Sequence, residues 1–83
     1  MKPVKIYTTN YCPFCQKAKA LLGEKGVPFK EIRVDKEEEF DALVEKTGWK
    51  TVPQIFIGEE MIGGFDDLSA LEQSGELDQK LKS

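Results

Sequence analysis

The chain has 83 residues, a formal net charge of −3 and 40% apolar residues, with two cysteines and no histidine. This length predicts a single domain over residues 1–83, and the apolar content suffices for a two-layer fold. The negative charge argues against a nucleic-acid partner, and the lack of a long apolar stretch argues against a membrane-spanning helix. Because the N-terminal residues also lack the apolar core of a signal peptide, we expect a cytoplasmic protein.

The first predicted strand covers residues 2–8, where apolar and polar side chains alternate. Val4, Ile6 and Thr8 fall on one face of this strand. The pattern then changes to helical spacing, and Gly26 is expected to end the helix in a left-handed turn. The apolar residues with helical spacing are Phe14, Ala18, Leu21 and Leu22.

A second strand over residues 29–34 and a second helix follow. Asp35 is expected to cap this helix, Glu38 to complete a capping box, and Gly48 to end it. The acidic residues around Glu38 have a sufficient structural explanation, because carboxylates favour the positive end of the helix dipole. The residues expected on the buried face are Phe40, Leu43 and Val44.

The C-terminal part predicts a hairpin and then helical structure. Strands over residues 54–57 and 60–62 are joined by a two-residue turn that begins with Gly58. Asp66 or Asp67 is expected to cap a third helix, and a short amphipathic segment follows it. The apolar residues of this helix and segment are Leu68, Leu71, Leu77 and Leu81.

The predicted order of elements is β-α-β-α-β-β-α, which belongs to the α/β class. A strand–helix–strand unit makes parallel neighbours with a right-handed crossover. The hairpin adds antiparallel strands, so the sheet is expected to be mixed.

Cys12 and Cys15 stand between the first strand and the first helix, separated by two residues. A structural zinc site takes four ligands, so a metal here would need a second chain, carboxylates or a small thiol. A cysteine hydrolase normally uses a histidine base, and a structural disulfide is rare in the cytoplasm. The pair therefore favours dithiol–disulfide exchange, and no metal is expected.

The position of each cysteine predicts its role. Cys12 precedes the helix, where unpaired N–H groups and the helix dipole stabilise a thiolate, so it is expected to attack. Lys17 and Lys19 are expected to add positive potential in the next turn. Cys15 lies one turn further in, where deeper burial suits it to resolve a mixed disulfide.

Pro53 stands directly before the third strand and allows two interpretations. The first is that the proline only marks the start of the strand. The second is a cis-proline that turns the backbone of Val52 toward the sulfurs and leaves it able to pair with an extended substrate. Cis bonds are a minority of such bonds, so the residues alone do not decide between the two.

Three segments, taken in order, resemble the glutaredoxins of the thioredoxin superfamily, above all the small bacterial dithiol members. They are Cys12–Cys15, Thr51–Ile57 and Ile62–Leu68, and the similarity extends over nearly the whole chain. The resemblance implies the thioredoxin-like fold, with a four-stranded mixed sheet flanked by helices. It also implies that Pro53 is cis and faces the Cys12 sulfur.

The resemblance further implies that glutathione lies in a groove beside Cys12. Its cysteine part would pair with the Val52 backbone, and its γ-glutamyl carboxylate would meet the N–H groups of Phe65 and Asp66. Asp67 would bind its ammonium group. The implied glutathione-binding residues are Phe14, Lys50, Thr51, Val52, Pro53, Gly64, Phe65, Asp66 and Asp67.

The chain departs from the family pattern at several positions. Phe14 replaces a frequent tyrosine, and Phe65 stands where many members have a further cysteine. Thr9 stands where many members have a lysine, which leaves Lys50 to bind the glycyl carboxylate of glutathione. Trp49 has no role that the resemblance implies.

The resemblance implies a monomeric enzyme that uses glutathione as co-substrate to reduce protein–glutathione mixed disulfides and protein disulfides. One alternative is a redoxin that is reduced by thioredoxin reductase; Asp66, Asp67 and Lys50 favour glutathione instead. The other is a dimeric iron–sulfur carrier ligated by Cys12 and glutathione. Family members of that kind often lack a proline at the position of Pro13. No membrane partner is expected.

Overall fold

The computed structural model describes residues 2–82 and forms eight secondary-structure elements in this range. The strands are β1 (Val4–Thr8), β2 (Lys30–Arg33), β3 (Gln54–Ile57) and β4 (Glu60–Gly63). The helices are α1 (Pro13–Glu24), α2 (Glu37–Thr47), α3 (Phe65–Ser74) and α4 (Glu76–Leu81). The predicted order is confirmed, and the amphipathic segment at the end forms the additional helix α4. No helix within residues 2–82 combines the length and the apolar character needed to cross a membrane.

The strands form one mixed sheet in the order β2-β1-β3-β4. β1 is parallel to β2 and antiparallel to β3, and β3 and β4 form an antiparallel hairpin. The hairpin turns at Gly58, whose φ of 62° lies in the left-handed region that glycine adopts without steric cost. The four-stranded mixed sheet expected from the sequence is therefore confirmed.

One face of the sheet carries the main hydrophobic core. Helices α1, α3 and α4 cover this face, and the fully buried side chains Ile6, Leu22 and Leu68 come from three different elements. The alternation predicted for β1 is confirmed, since Val4, Ile6 and Thr8 are all buried. The remaining buried members of this core are Ala18, Val27, Ile55, Ile57, Leu77 and Leu81.

The opposite face of the sheet is covered by α2. A cavity of about 550 Å³ separates α2 from this face and is lined by Tyr7 and Phe56 of the sheet and Leu43 of the helix. Within α2, Leu43 is buried and Phe40 and Val44 are half-buried, whereas all other residues of the helix except Thr47 are exposed. The three predicted residues therefore do form the inner face of α2, but only Leu43 is fully buried there.

Two helix starts differ from the prediction. α2 begins after Lys36 rather than Asp35, and α3 begins after Gly64 rather than at Asp66 or Asp67. In each helix the acidic side chain acts from the third helical position: Glu39 accepts a 3.3 Å hydrogen bond from the Lys36 N–H. Asp67 likewise accepts a 3.0 Å bond from the Gly64 N–H. The carboxylates therefore satisfy the helix starts without being the capping residues.

Candidate active site

Cys12 and Cys15 lie where α1 begins, and their sulfur atoms form a disulfide bond. Cys12 is the residue that caps α1, and its Sγ accepts a 3.1 Å hydrogen bond from the backbone N–H of Cys15. Cys12 is 9% exposed, whereas Cys15 is 1% exposed. The predicted helix-start position of Cys12 and the deeper burial of Cys15 are confirmed. Cys12 is thus the sulfur that a second molecule reaches more easily.

The segment before β3 lies against this disulfide. Residue Tyr7 of β1 pairs with Gln54 of β3, which brings the preceding Val52 and Pro53 alongside the loop that leads to Cys12. The Val52–Pro53 peptide bond is cis, and the Sγ of Cys12 lies 3.7 Å from the Val52 carbonyl oxygen. The cis interpretation of Pro53 is therefore confirmed, and the Val52 backbone borders the sulfur.

One of the two lysines expected to add positive potential near Cys12 is paired with a carboxylate. The Lys19 ammonium lies 3.0 Å from a carboxylate oxygen of Glu31, and the Thr8 hydroxyl donates a 2.7 Å hydrogen bond to the same oxygen. These bonds, first from Thr8 and then from Lys19, lower the pKa of Glu31. Because Glu31 neutralises Lys19, the positive potential predicted from Lys19 is largely cancelled. Lys17 lies 5.2 Å from the centre of the Phe14 ring, a cation–π distance.

A groove of about 330 Å³ runs past the cis-proline segment toward the start of α3. It brings together two parts of the chain that are distant in sequence, one around Pro53 and one around Gly64. Lys50 is exposed and is not among the lining residues, whereas Trp49 is. The lining residues are Phe14, Trp49, Thr51, Val52, Pro53, Gly64, Phe65, Asp66 and Asp67.

The start of α3 forms one end of the groove. Gly64 caps the helix, so the N–H groups of Phe65 and Asp66 belong to the first turn, where no intrahelical acceptor exists. Asp67 uses Oδ2 for the Gly64 N–H. A helix start of this kind suits an anionic group, and a carboxylate next to it suits a cation. Within residues 2–82, no three Cys, Asp or Glu side chains cluster in a way that could hold a metal ion.

Aromatic side chains form a wall of the groove. Phe14 shares the helical spacing of the core residues but is 51% exposed, and its ring centre lies 6.3 Å from that of Phe65. Sequence reasoning gave Trp49 no role. The signal that could have pointed to it is its place directly before the Lys50–Pro53 segment, which contacts Cys12 through Val52.

Known proteins are similar to this chain in sequence. The glutaredoxin family model matches residues 4–62. The chain is 55% identical to a glutaredoxin of Pseudomonas aeruginosa over an alignment of 84 residues that covers all of both chains. It is 50% identical to glutaredoxin 3 of Escherichia coli over 86 residues, covering 99% of this chain and 100% of that one.

The fold comparison agrees with the sequence comparison. The crystal structure of a buckwheat glutaredoxin–glutathione complex superposes with a TM-score of 0.86 at 32% identity, covering 96% of this chain and 76% of that chain. The sheet order and flanking helices are thus those of the thioredoxin-like fold. With the disulfide-forming Cys12 and Cys15 at the start of α1, these similarities show that the chain belongs to the glutaredoxin family of thiol–disulfide oxidoreductases.

Proposed function

We propose that this glutaredoxin is glutathione-dependent and reduces both protein–glutathione mixed disulfides and protein disulfides. The observation that carries the proposal is the groove that joins the Val52 backbone, 3.7 Å from the Cys12 sulfur, to the start of α3. Its size of about 330 Å³ suits a small peptide. The buckwheat glutaredoxin was crystallised as a glutathione complex and has the same fold, which supports the same ligand here.

Each part of glutathione has a complementary group in this groove. The cysteine part pairs with the Val52 backbone, which places its sulfur beside Cys12. The γ-glutamyl carboxylate binds the N–H groups of Phe65 and Asp66, where the helix dipole is positive. Its ammonium binds Asp67 through Oδ1, since Oδ2 already accepts the Gly64 N–H.

The other proposed contacts are less specific. Phe14 supplies an apolar wall, while Thr51 and Pro53 shape the side of the groove that faces Gly64. Lys50, an exposed cation next to Thr51, binds the glycyl carboxylate of glutathione.

The two cysteines divide the reaction. The Cys12 thiolate attacks the glutathione sulfur of a mixed disulfide, and the protein thiolate leaves and takes up a proton. A second glutathione thiolate then attacks glutathionylated Cys12, which releases oxidised glutathione and regenerates the Cys12 thiolate. With a protein disulfide, the Cys12 thiolate first displaces one substrate thiolate and forms a mixed disulfide. Cys15 then attacks Cys12 and releases the second substrate thiolate, which leaves the Cys12–Cys15 disulfide for two glutathione molecules to reduce, with release of oxidised glutathione.

Substitution of each cysteine tests this division. In an assay coupled to glutathione reductase, we expect Cys12→Ser to abolish reduction of a cysteine–glutathione mixed disulfide, because the other thiol, that of Cys15, is only 1% exposed. Cys15→Ser is expected to retain that activity and to lose reduction of a protein disulfide. Full activity of Cys12→Ser, or equal loss of both activities in Cys15→Ser, would contradict the proposal.

The source of electrons is tested with the wild-type protein. The oxidised protein is incubated either with glutathione and glutathione reductase or with thioredoxin reductase alone, and NADPH consumption is followed. We expect faster reduction with glutathione. The cytoplasmic location and the monomeric state remain predictions that belong to the same proposal.

A further inference from the structure

Large exposed apolar side chains are found on the same side of the molecule as the reactive sulfur. Tyr11 is 89% exposed, Phe14 is 51% exposed and Trp49 is 36% exposed. Tyr11 directly precedes Cys12, and Phe14 and Trp49 line the groove that borders it. Single exposed apolar residues are ordinary, but a group of them at one site indicates an interaction surface.

The backbone of Trp49 is held from both sides. Its N–H donates a 3.2 Å hydrogen bond to Oγ1 of Thr47, the last residue of α2. Its carbonyl oxygen accepts a 2.7 Å hydrogen bond from Nε2 of Gln54, the first residue of β3. Two different elements therefore fix the backbone of Trp49, a residue that lines the groove.

Gln54 is an unusual residue for the place it occupies. Its side chain is fully buried, and within the described residues its Oε1 has no hydrogen-bond partner. Burying an amide with one unsatisfied oxygen costs free energy that an apolar side chain would not cost. The bond to the Trp49 carbonyl is the specific contact that this buried amide provides, so the position of Trp49 is the feature that Gln54 supports.

We propose that Trp49 is a specificity-determining residue for protein disulfide substrates. Together with Phe14, it binds a bulky apolar side chain next to the reactive cysteine of an extended substrate segment, and Gln54 acts as the positioning residue. The inference rests on the proposed dithiol reaction at Cys12. It does not depend on glutathione as the electron source.

The reaction with such a substrate is a balanced exchange. The Cys12 thiolate bonds to one sulfur of the substrate disulfide, and the other substrate sulfur leaves as a thiolate that takes up a proton. The Cys15 thiol then loses its proton and attacks Cys12, which releases the second substrate thiol. Two electrons pass from the Cys12–Cys15 dithiol to the substrate disulfide. The apolar contact with Trp49 acts in the first step, while the substrate is bonded to Cys12.

The test compares two peptide disulfides in a single turnover without glutathione. The peptides are identical except for phenylalanine or serine beside the cysteine, and the pre-reduced protein is mixed with each in excess. Since aromatic pairs contribute roughly threefold to tenfold in an equilibrium, we expect the phenylalanine peptide to react about three to ten times faster. We call the rate with the phenylalanine peptide divided by the rate with the serine peptide the rate ratio. We expect Trp49→Ala to bring this ratio to about one and Trp49→Phe to retain most of it.

Further variants make the result specific. Gln54→Met, which keeps the length of the side chain but lacks the amide, is expected to lower the ratio. Glu24→Gln, at an exposed position at the end of α1 that does not line the groove, is expected to leave the ratio at the wild-type value. A wild-type ratio near one, or an unchanged ratio in Trp49→Ala, would overturn the proposal. Reduction of neither peptide would overturn it together with the dithiol reaction, whereas failure of the glutathione-coupled assay alone would leave it standing.

Fluorescence gives a direct reading, because Trp49 is the only tryptophan in the sequence. In Cys15→Ser, each peptide is trapped on Cys12 as a stable mixed disulfide. We expect the phenylalanine peptide to shift the emission of Trp49 to shorter wavelength, since the exposed indole loses contact with water. We expect the serine peptide to give a clearly smaller shift. Equal shifts with both peptides would contradict a contact between Trp49 and the flanking side chain.

Discussion

Glu31 connects three elements through one carboxylate oxygen. It lies on β2, accepts a hydrogen bond from the hydroxyl of Thr8 at the end of β1, and pairs with Lys19 of α1. Because Thr8 is fully buried and directly precedes the loop to Cys12, this oxygen fixes the strand end from which the active-site loop departs. No pattern in the sequence joins these three residues, since they meet only when β2 pairs with β1.

We expect Glu31→Gln to destabilise the protein by about 0.5–1.5 kcal/mol at pH 7, since it weakens both bonds. The pKa of Glu31 is lower in the folded state than in the unfolded chain. Its contribution is therefore fully present above the ordinary value of about 4.3 and is lost as the pH falls through the folded value. Urea unfolding at pH 7 and pH 3 measures this. The destabilisation by Glu31→Gln is expected to shrink at pH 3, and the exposed Glu24→Gln serves as a control without this pattern.

The helices show how far element boundaries follow from sequence. Gly26 and Gly48, with φ of 70° and 75°, are the left-handed residues predicted to follow α1 and to end α2. The helix starts differ from the predicted ones because a carboxylate can accept a hydrogen bond from a backbone N–H of the first turn either from the capping position or from the third helical position. Neighbouring acidic residues fit both arrangements. Asp67 therefore has a structural role at α3 in addition to its proposed role with glutathione.

Two glycines are expected to respond in opposite directions to substitution by alanine: Gly63 at the end of β4 and Gly23 within α1. At Gly63, φ is 118°, and an added Cβ would lie 2.9 Å from Cγ of Asp67, whose carboxylate is held by the Gly64 N–H. We expect Gly63→Ala to destabilise the protein by about 1–3 kcal/mol. At Gly23, inside α1, a Cβ meets no atom within 4 Å, and we expect Gly23→Ala to stabilise by about 0.5–1 kcal/mol. Denaturant unfolding of both variants measures the contrast, and a similar effect at both positions would contradict this explanation.

At the scale of the molecule, the sequence predicted the sheet, the cysteine positions and two of the segments that line the groove. These features depend on local patterns and on motifs that keep their spacing. The role of Trp49 and the neutralisation of Lys19 were not predicted, because each depends on a contact between elements. The hydrogen bond from Gln54 to Trp49 needs β3 and the end of α2 to be in place. The ion pair of Lys19 with Glu31 needs α1 to lie next to β2.

Lys25, at the end of α1, connects the helices that cover the core face. Its ammonium lies 2.9 Å from Glu72 of α3 and 2.9 Å from Asp78 of α4. Hydrogen bonds from Lys25 to Glu72 and then to Asp78 raise the pKa of this lysine above its ordinary value of 10.5. The stabilisation is therefore fully present below pH 10.5 and is lost as the pH rises through the folded value.

We expect Lys25→Met to lower the midpoint of thermal unfolding at pH 8, because α4 loses its ionic link to α1 while Leu77 and Leu81 still hold it to the core. The difference from wild type is expected to shrink as the pH rises above 10.5 and through the folded pKa of Lys25, since the wild-type lysine then loses its proton too. Lys30→Met, at an exposed position on β2, is the matched control and is expected to show no such convergence. A constant offset between Lys25→Met and wild type at all pH values would mean that packing of the lysine stem, rather than its charge, connects α1 to α3 and α4.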